Sequence, residues 1–497
     1  MAPATLAHLF ADPASPEAAI VDDATGLTTS YRALSDQVER LAETLSGAGF
    51  GRGEAVALIL PNGVELLVLC LALTRAGLIA APLDPASTQH ELAGLIADIQ
   101  ARAIVTRIDN AVAVNAATVL GTSIFTASLD SAGFVRLDGI VTKPRGAPAP
   151  PDANDVAFYL HTSGTSEKPK VVPLTHANVT LSARNIAAHY ALTPADRSLV
   201  VVPLFHGHGL IGSTLSTLAS GGAVIVPPRF SASRFWQAFH EHRATWYTAV
   251  PTIHQVLLER ADADGAPRAG LRFIRSCSAP IADTVVLMLE RRLGAPVIEA
   301  YGLTEASHQV ASNPLPPRVR VNSTVGIPTG VQVALLEGSE IVLRGPTLTR
   351  GYRNNTEATA AAFADGWFRT GDIGCLDSAG YLRITGRIKD LINRGGEKIS
   401  PVEIESVLLS HPAIAEAAVF PVPDPKYGEE VEAAVVLRRD ADPETLRSFC
   451  RERLTAFKVP RRIRIVTELP KNALGKLKRH ALTEMFAAPT PSRASAA

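Results

Sequence analysis

The chain has 497 residues, too long for one ordinary core, so two or more domains are expected. Hydrophobic residues make up 46% and charged residues 19%, which excludes a disordered chain. Lys plus Arg and Asp plus Glu both total 48, so there is no general footprint for nucleic acid or an anionic membrane, and any anion binding must come from a local site.

The N-terminal stretch, MAPATLAHLFADP, lacks a basic region followed by a long apolar run and does not read as a secretory signal. Ala55 to Leu60 reads as a buried strand, broken by Pro61-Asn62-Gly63. The most apolar segment, Val64 to Ala81, is interrupted by Glu65 and Arg75 and is expected to hold a buried helix rather than a membrane span. Ala80 to Leu83 is the next strand, followed by similar runs at Leu199 to Pro203, Ala223 to Val226, Thr245 to Ala249, Leu271 to Arg275 and Val297 to Glu299. Helical patterns lie between several of these, and alternation of this kind predicts parallel sheets covered by helices.

From about Arg344 turn signals become dense: Arg344-Gly345-Pro346, Asn354-Asn355, Asp365-Gly366, Thr370-Gly371-Asp372 and Ser378-Ala379-Gly380. They predict hairpins and a smaller β subdomain. After Asp390 the pattern is α+β: a helix over Pro401 to Ser410, strands over Ala415 to Phe420 and Glu432 to Leu437, and a helix over Pro443 to Leu454. The fold class is therefore α/β, with a domain boundary at Lys389 dividing 1–388 from 389–497. Cys70, Cys277, Cys375 and Cys450 form no CxxC pair, which argues against a metal cluster or disulfide framework and fits a reducing cytosol.

The strongest local signal is His161-Thr-Ser-Gly-Thr-Ser-Glu-Lys-Pro-Lys170, after the apolar strand Val156 to Leu160. A loop of small hydroxyl residues and Gly, ending in Lys, can offer backbone N–H groups and a cation to a polyphosphate. It is not a Walker A loop, because Pro169 stands where the second Gly would be and no Ser or Thr follows Lys170. A plain polar strand-to-helix loop is the competing reading.

Four further motifs follow in order: Glu299-Ala-Tyr-Gly-Leu-Thr-Glu305, Thr370-Gly-Asp372, Gly386-Arg-Ile-Lys-Asp390 and Pro470-Lys-Asn-Ala-Leu-Gly-Lys476. With the loop, they resemble the signature of the acyl-adenylate-forming superfamily over essentially the whole chain. The resemblance implies a large N-terminal domain, a small C-terminal lid domain that rotates about Lys389, and the substrates ATP, a carboxylic acid and coenzyme A, with Mg²⁺. It implies that Thr162, Ser163, Gly164, Thr165, Ser166 and Lys170 hold phosphates, and that Ser278, Ala279, Glu299, Ala300, Tyr301, Gly302, Thr304, Asp372 and Arg387 hold the nucleotide. Glu305 would ligate Mg²⁺, which prefers hard oxygen donors. Arg394, Gly395 and Gly396 would face the coenzyme A tunnel. Lys476 would be the catalytic cation, because a carboxylate must attack an α-phosphate that is itself negative. Alternatives stand beside several of these: Tyr301 as a core aromatic, Glu305 as a solvated carboxylate, Asp372 as a turn residue and Arg387 as a surface ion pair.

The acyl-pocket segments lie at 203–210, 244–254, 272–279, 304–308 and 312–316. They are similar to those of the oxalate–CoA ligase branch of that superfamily, as is Gly395-Gly-Glu-Lys-Ile-Ser-Pro401. The resemblance points to oxalate, a small dianion whose unreacting carboxylate needs hydrogen-bond donors. His206, Ser278 and His308, with His208 nearby, are the candidates, and His206 is also a candidate catalytic residue; His208 could equally be a satisfied core histidine. The phosphate loop departs from the family pattern at Ser166, Glu167 and Val171.

Overall fold

The computed structural model describes residues 5–10, 12–143, 147–162, 169–267, 270–471 and 477–486. Among them the strands form four sheets. The first has the strand Ala55–Ile59 at its centre, paired in parallel with Ile79–Pro82 and Ala103–Thr106. The uninterrupted apolar runs at these positions reflect burial of both sheet faces. The helix Val64–Arg75 is buried along almost its whole length, so its apolar surround meets protein on every side. No described helix is long and apolar enough to cross a membrane.

The second sheet places Arg197–Val200 between Ala223–Val226 and Trp246–Ala249, then continues through Phe273–Ser276 to Val297–Leu303, all parallel. The strand His308–Ser312 adds antiparallel to Val297–Leu303, and the short strand Ile327–Pro328 pairs on its outer side. Asn62, in the break after the first sheet's central strand, donates to the Val202 carbonyl (3.3 Å) and accepts from the Leu204 amide (2.9 Å), which ties the two sheets together.

The strand Val156–His161 returns as the antiparallel strand Val171–Thr175, so the segment 162–170 connects two strands. The helix His176–His189 begins only after that second strand, capped by Thr175.

The β subdomain begins earlier than the turn signals suggest, at the hairpin Gln332–Leu335 with Glu340–Arg344. Thr370-Gly371-Asp372 lies within the strand Trp367–Leu376 rather than in a turn; Gly371 takes a φ of 69° there, which suits a residue without Cβ. The C-terminal unit is a smaller α+β layer with its own cores around Ile404, Val419, Val431 and Leu446, and around Phe420 and Leu482. The exposed turn Ile388–Asp390, with Lys389 at its centre, links the last strand of the subdomain, Leu382–Arg387, to Ile392–Arg394.

Candidate active site

Because the strands of the second sheet run parallel, the segments leaving their carboxyl ends gather on one edge: residues 201–208, 250–253, 277–279 and 304–305. Open α/β sheets bind ligands at this edge. A cavity of about 640 Å³ opens there, with His206, His208 and Ser278 in its wall. Phe205, Phe230 and Ile253 give it an apolar side, and Arg229 and Lys471 also line it. Lys471, in this wall, forms an isolated antiparallel bridge with Leu477.

The polar wall is a connected network. Ser278 Oγ lies 3.1 Å from His208 Nδ1, and His208 Nε2 lies 2.6 Å from Thr248 Oγ1. His308 is not in the cavity wall; its ring stacks on His208 with centroids 5.1 Å apart. The guanidinium of Arg275 donates to His308 Nε2 (2.9 Å) and to Thr248 Oγ1 (3.1 Å). Nε2 of His308 therefore accepts, and the ring proton sits on Nδ1. Burial, with the charge of Arg275 and the two nearby imidazoles, holds His308 well below its ordinary pKa, so the ring is neutral.

Local backbone geometry makes this packing possible. His208–Leu215 is a π-helical stretch, a form that recurs at functional sites. A Cβ on Gly212 within it would stand 2.3 Å from His308 Nε2, so only glycine admits that ring. Ser307 and His308 both have left-handed φ values, 53° and 87°. Such geometry persists where neighbours over-determine it. Here Ser182 donates to the Ser307 carbonyl (2.6 Å) and Ser307 Oγ donates to the Thr347 carbonyl (2.8 Å).

A second set of candidates meets around Tyr301. Its hydroxyl donates to the buried carboxylate of Asp372, which also pairs with Arg387. The phenol pKa is pushed well up by burial and by the Asp372 charge. Glu299 and Ala300 precede Tyr301 on the same strand, and Gly302 follows; a Cβ there would overlap the His308 carbonyl oxygen. Burial and the charge of Asp283 raise the Glu299 carboxyl to about 8.

Thr304 and Glu305 occupy the short turn Thr304–Ala306 after that strand. Glu305 Oε1 accepts from the Tyr352 hydroxyl at 2.8 Å, and the Lys170 ammonium lies 4.9 Å from the centre of the same ring. Thr162 and Lys170 face each other across the hairpin mouth, with Lys170 N donating to Thr162 Oγ1 at 3.0 Å. A hard carboxylate and an ammonium group sharing one aromatic neighbour are donor types that fit a Mg²⁺–polyphosphate group. Ser163, Gly164, Thr165, Ser166 and Lys476 lie outside the described residues.

Other candidates are not drawn in. Ala279 is exposed next to Ser278. Arg394 pairs with Glu430 at 2.6 Å and stacks on Tyr427, while Gly395 and Gly396 form an exposed turn of the C-terminal sheet; none of the three lines the cavity. His208, Cys277 and His308 bring ligand atoms within 4.8 Å of one another. Both His208 nitrogens and His308 Nε2 are already engaged by Ser278, Thr248 and Arg275, and the adjacent guanidinium opposes a second cation. This cluster is a hydrogen-bond network, not a metal centre.

Arg275, Thr248 and Tyr352 escaped the sequence reading as site residues. Arg275 and Thr248 fall inside two pocket segments, but each sits in an apolar run that signals only a strand.

A family model described as AMP-binding enzyme matches residues 11–353, and one described as AMP-binding enzyme C-terminal domain matches residues 403–476. The chain is 45% identical to the oxalate–CoA ligase of Arabidopsis thaliana, covering 92% of this chain and 93% of that protein. It is 37% identical to the sulfoacetate–CoA ligase of Cupriavidus necator, covering 92% of each. Among solved structures, ATP-bound MatB from Rhodopseudomonas palustris superposes with a TM-score of 0.88 at 31% identity, covering 98% of this chain and 99% of that one.

Proposed function

The chain belongs to the AMP-binding enzyme family, and from that premise we propose that it is an AMP-forming ligase that joins oxalate to coenzyme A. A carboxylate oxygen of oxalate attacks the α-phosphorus of ATP, pyrophosphate leaves, and oxalyl-adenylate forms. The thiol sulfur of coenzyme A then attacks the activated carbonyl, AMP leaves with the bonding electrons, and oxalyl-CoA is released.

Oxalate is supported above all by the make-up of the cavity wall. His206 and Ser278 can donate hydrogen bonds to carboxylate oxygens, and His208, His308 and Arg275 stand behind them. A dianion buried here finds donors and positive potential, without which its second charge would be prohibitively costly. The two curated relatives named above carry the names of small dianionic acids.

Within this reading, Thr162, Ser163, Gly164, Thr165, Ser166 and Lys170 cradle the polyphosphate. Tyr301 flanks the adenine with Glu299 and Ala300, while Asp372 and Arg387 take the ribose hydroxyls. Thr304 hydrogen-bonds the α-phosphate, and Glu305 holds Mg²⁺, which when bound supplies positive charge to the phosphates. Lys476 bridges the two anionic reactants during adenylation; the match of residues 403–476 to the AMP-binding enzyme C-terminal domain supports this. Lys389 is the hinge between 1–388 and 389–497, and rotation about it would bring Arg394, Gly395 and Gly396 to the thiol.

The apolar side formed by Phe205, Phe230 and Ile253 favours a second reading, a larger acid with a hydrocarbon portion. The test is a substrate panel with ATP, Mg²⁺ and coenzyme A, read by mass spectrometry of the thioester. Oxalyl-CoA as the main product is expected; preferential conversion of a medium-chain or aryl acid would displace oxalate.

A further inference from the structure

Arg275 is fully buried on the strand Phe273–Ser276. It donates to Tyr190 Oη (2.9 Å), Thr248 Oγ1 (3.1 Å), His308 Nε2 (2.9 Å) and Gln309 Oε1 (3.0 Å), with the Cys277 sulfur also beside it, and none of these side chains is a carboxylate. Among the described residues no carboxylate forms an ion pair with it. Among the described residues it is the only fully buried arginine; Arg197 and Arg353, which are half-buried, also lack a carboxylate ion pair, whereas several other half-buried arginines have one. Arg272, on the same run, pairs with Asp196 at 2.9 Å, Arg464 pairs with Glu432 at 2.8 Å, and Arg479 pairs with Glu405. Burying a charge with no opposite charge beside it is among the costliest arrangements in a protein, so a retained unpaired cation calls for an anion from elsewhere.

The direction in which that charge is exposed is set by two short relays. One runs from Arg275 through His308, whose ring stacks on His208. The other runs through Thr248 Oγ1 to His208 Nε2 and on from His208 Nδ1 to Ser278 Oγ. Both end at the polar wall of the cavity. Tyr190, which could dissipate the charge on the opposite side, is itself neutral and fully buried.

We propose that Arg275 is the fixed counter-charge of the acyl pocket, left uncompensated by the protein so that the unreacting carboxylate of the substrate compensates it. This rests on the reading of the substrate as oxalate. Arg275 does not line the cavity, so it is a positioning and specificity-determining residue: it selects acids with a second negative group next to the reacting carboxyl over monocarboxylates of the same size. A merely structural Arg275, knitting together the strands that carry Thr248, His308 and Gln309, would affect all acids alike.

The decisive variant leaves Arg275 in place. Gln309→Glu keeps the shape of a side chain already 3.0 Å from the guanidinium and supplies an internal carboxylate. Wild type and variant would be compared as full-length enzyme in ATP–pyrophosphate exchange with oxalate and with glyoxylate, which lacks the second charge. Competition for the guanidinium is expected to lower kcat/KM for oxalate by roughly 30-fold or more, chiefly through KM, and that for glyoxylate by less than about 3-fold. The KM for ATP and the melting temperature should be maintained.

The pair Arg275→Lys and Arg275→Gln asks the same question without an added carboxylate: Lys should retain much of the oxalate-over-glyoxylate preference and Gln should abolish it. An unchanged preference in Gln309→Glu and Arg275→Gln, or equal losses on both acids, overturns the proposal while leaving the oxalate assignment standing. A wild-type enzyme that does not favour oxalate over glyoxylate removes the assignment and the proposal together.

Discussion

Tyr352 and Glu305 are joined by a hydrogen bond of 2.8 Å from phenol to carboxylate, although 47 residues separate them. The Lys170 ammonium sits over the same ring, so one aromatic side chain orients the proposed metal ligand and the proposed phosphate cation together. Tyr352→Phe keeps the ring and deletes only the hydroxyl. A hydrogen bond to a charged group contributes about 1.5–3 kcal/mol, so kcat/KM for ATP should fall by about 10- to 100-fold. Pyrophosphate exchange at varied Mg²⁺ checks this, with a raised Mg²⁺ requirement expected; an unaltered Mg²⁺ dependence would remove Tyr352 from the site.

Lys476→Ala should separate the half-reactions. Removing one preorganised cation at the reacting phosphate is expected to slow adenylate formation by about 100-fold or more. Thioester formation from chemically prepared oxalyl-adenylate should proceed nearly as in the parent enzyme. Rapid-quench measurement of each step checks this, and equal slowing of both would contradict the assignment.

Gly212→Ala is a one-carbon test of the His308 position. The added Cβ would lie 2.3 Å from His308 Nε2, so the ring must leave its stack on His208 and its bond from Arg275. Oxalate turnover should drop by at least about 10-fold, as expected for losing one charged hydrogen bond, and His308→Ala should behave similarly. ATP binding, followed by calorimetry, should stay near the parent value in both; intact oxalate kinetics in His308→Ala would discard the role of that ring.

Glu299 gives a pH prediction. Burial and Asp283 raise its pKa from 4.5 to about 8. Below 4.5 the carboxyl is protonated whether or not the chain is folded. As pH rises from there to about 8, the unfolded chain releases this proton while the folded protein retains it, so this group makes the native state progressively less stable. Above about 8 the effect levels off. Glu299→Gln has no proton to lose, so its melting temperature relative to wild type should climb across that window and then plateau. A difference independent of pH would show that Glu299 ionises normally.

Much of the fold was legible because the buried sheets announce themselves: Ala55–Ile59 and Ala223–Val226 are continuous apolar runs with helical patterns after them. The start of the β subdomain was not legible, since Gln332–Leu335 is a half-exposed edge strand whose pattern lacks clean alternation. At the site, the identities of Asp372, Arg387 and Tyr301 could be read from motifs, but their mutual pairing is a product of tertiary packing. His308 was legible as a candidate, whereas its place behind His208 depends on a π-helical stretch and a glycine that no periodicity reports. Arg275 is the sharpest case: a charge inside an apolar run reads as a strand end, and only Tyr190, Gln309 and His308, from distant elements, make its burial tenable.

The segment proposed to hold the polyphosphate, 162–170, connects the antiparallel strands Val156–His161 and Val171–Thr175 and so does not lead directly into the N-terminus of a helix and its macrodipole. Attraction for the nucleotide must lean more heavily on side-chain ammonium groups, whose field dies away over about 8 Å at physiological ionic strength. Affinity in this chain is thereby coupled to the salt content of its surroundings. A single acidic residue such as Glu167, next in sequence to Lys168, becomes a dial on that coupling that evolution can turn without disturbing the architecture.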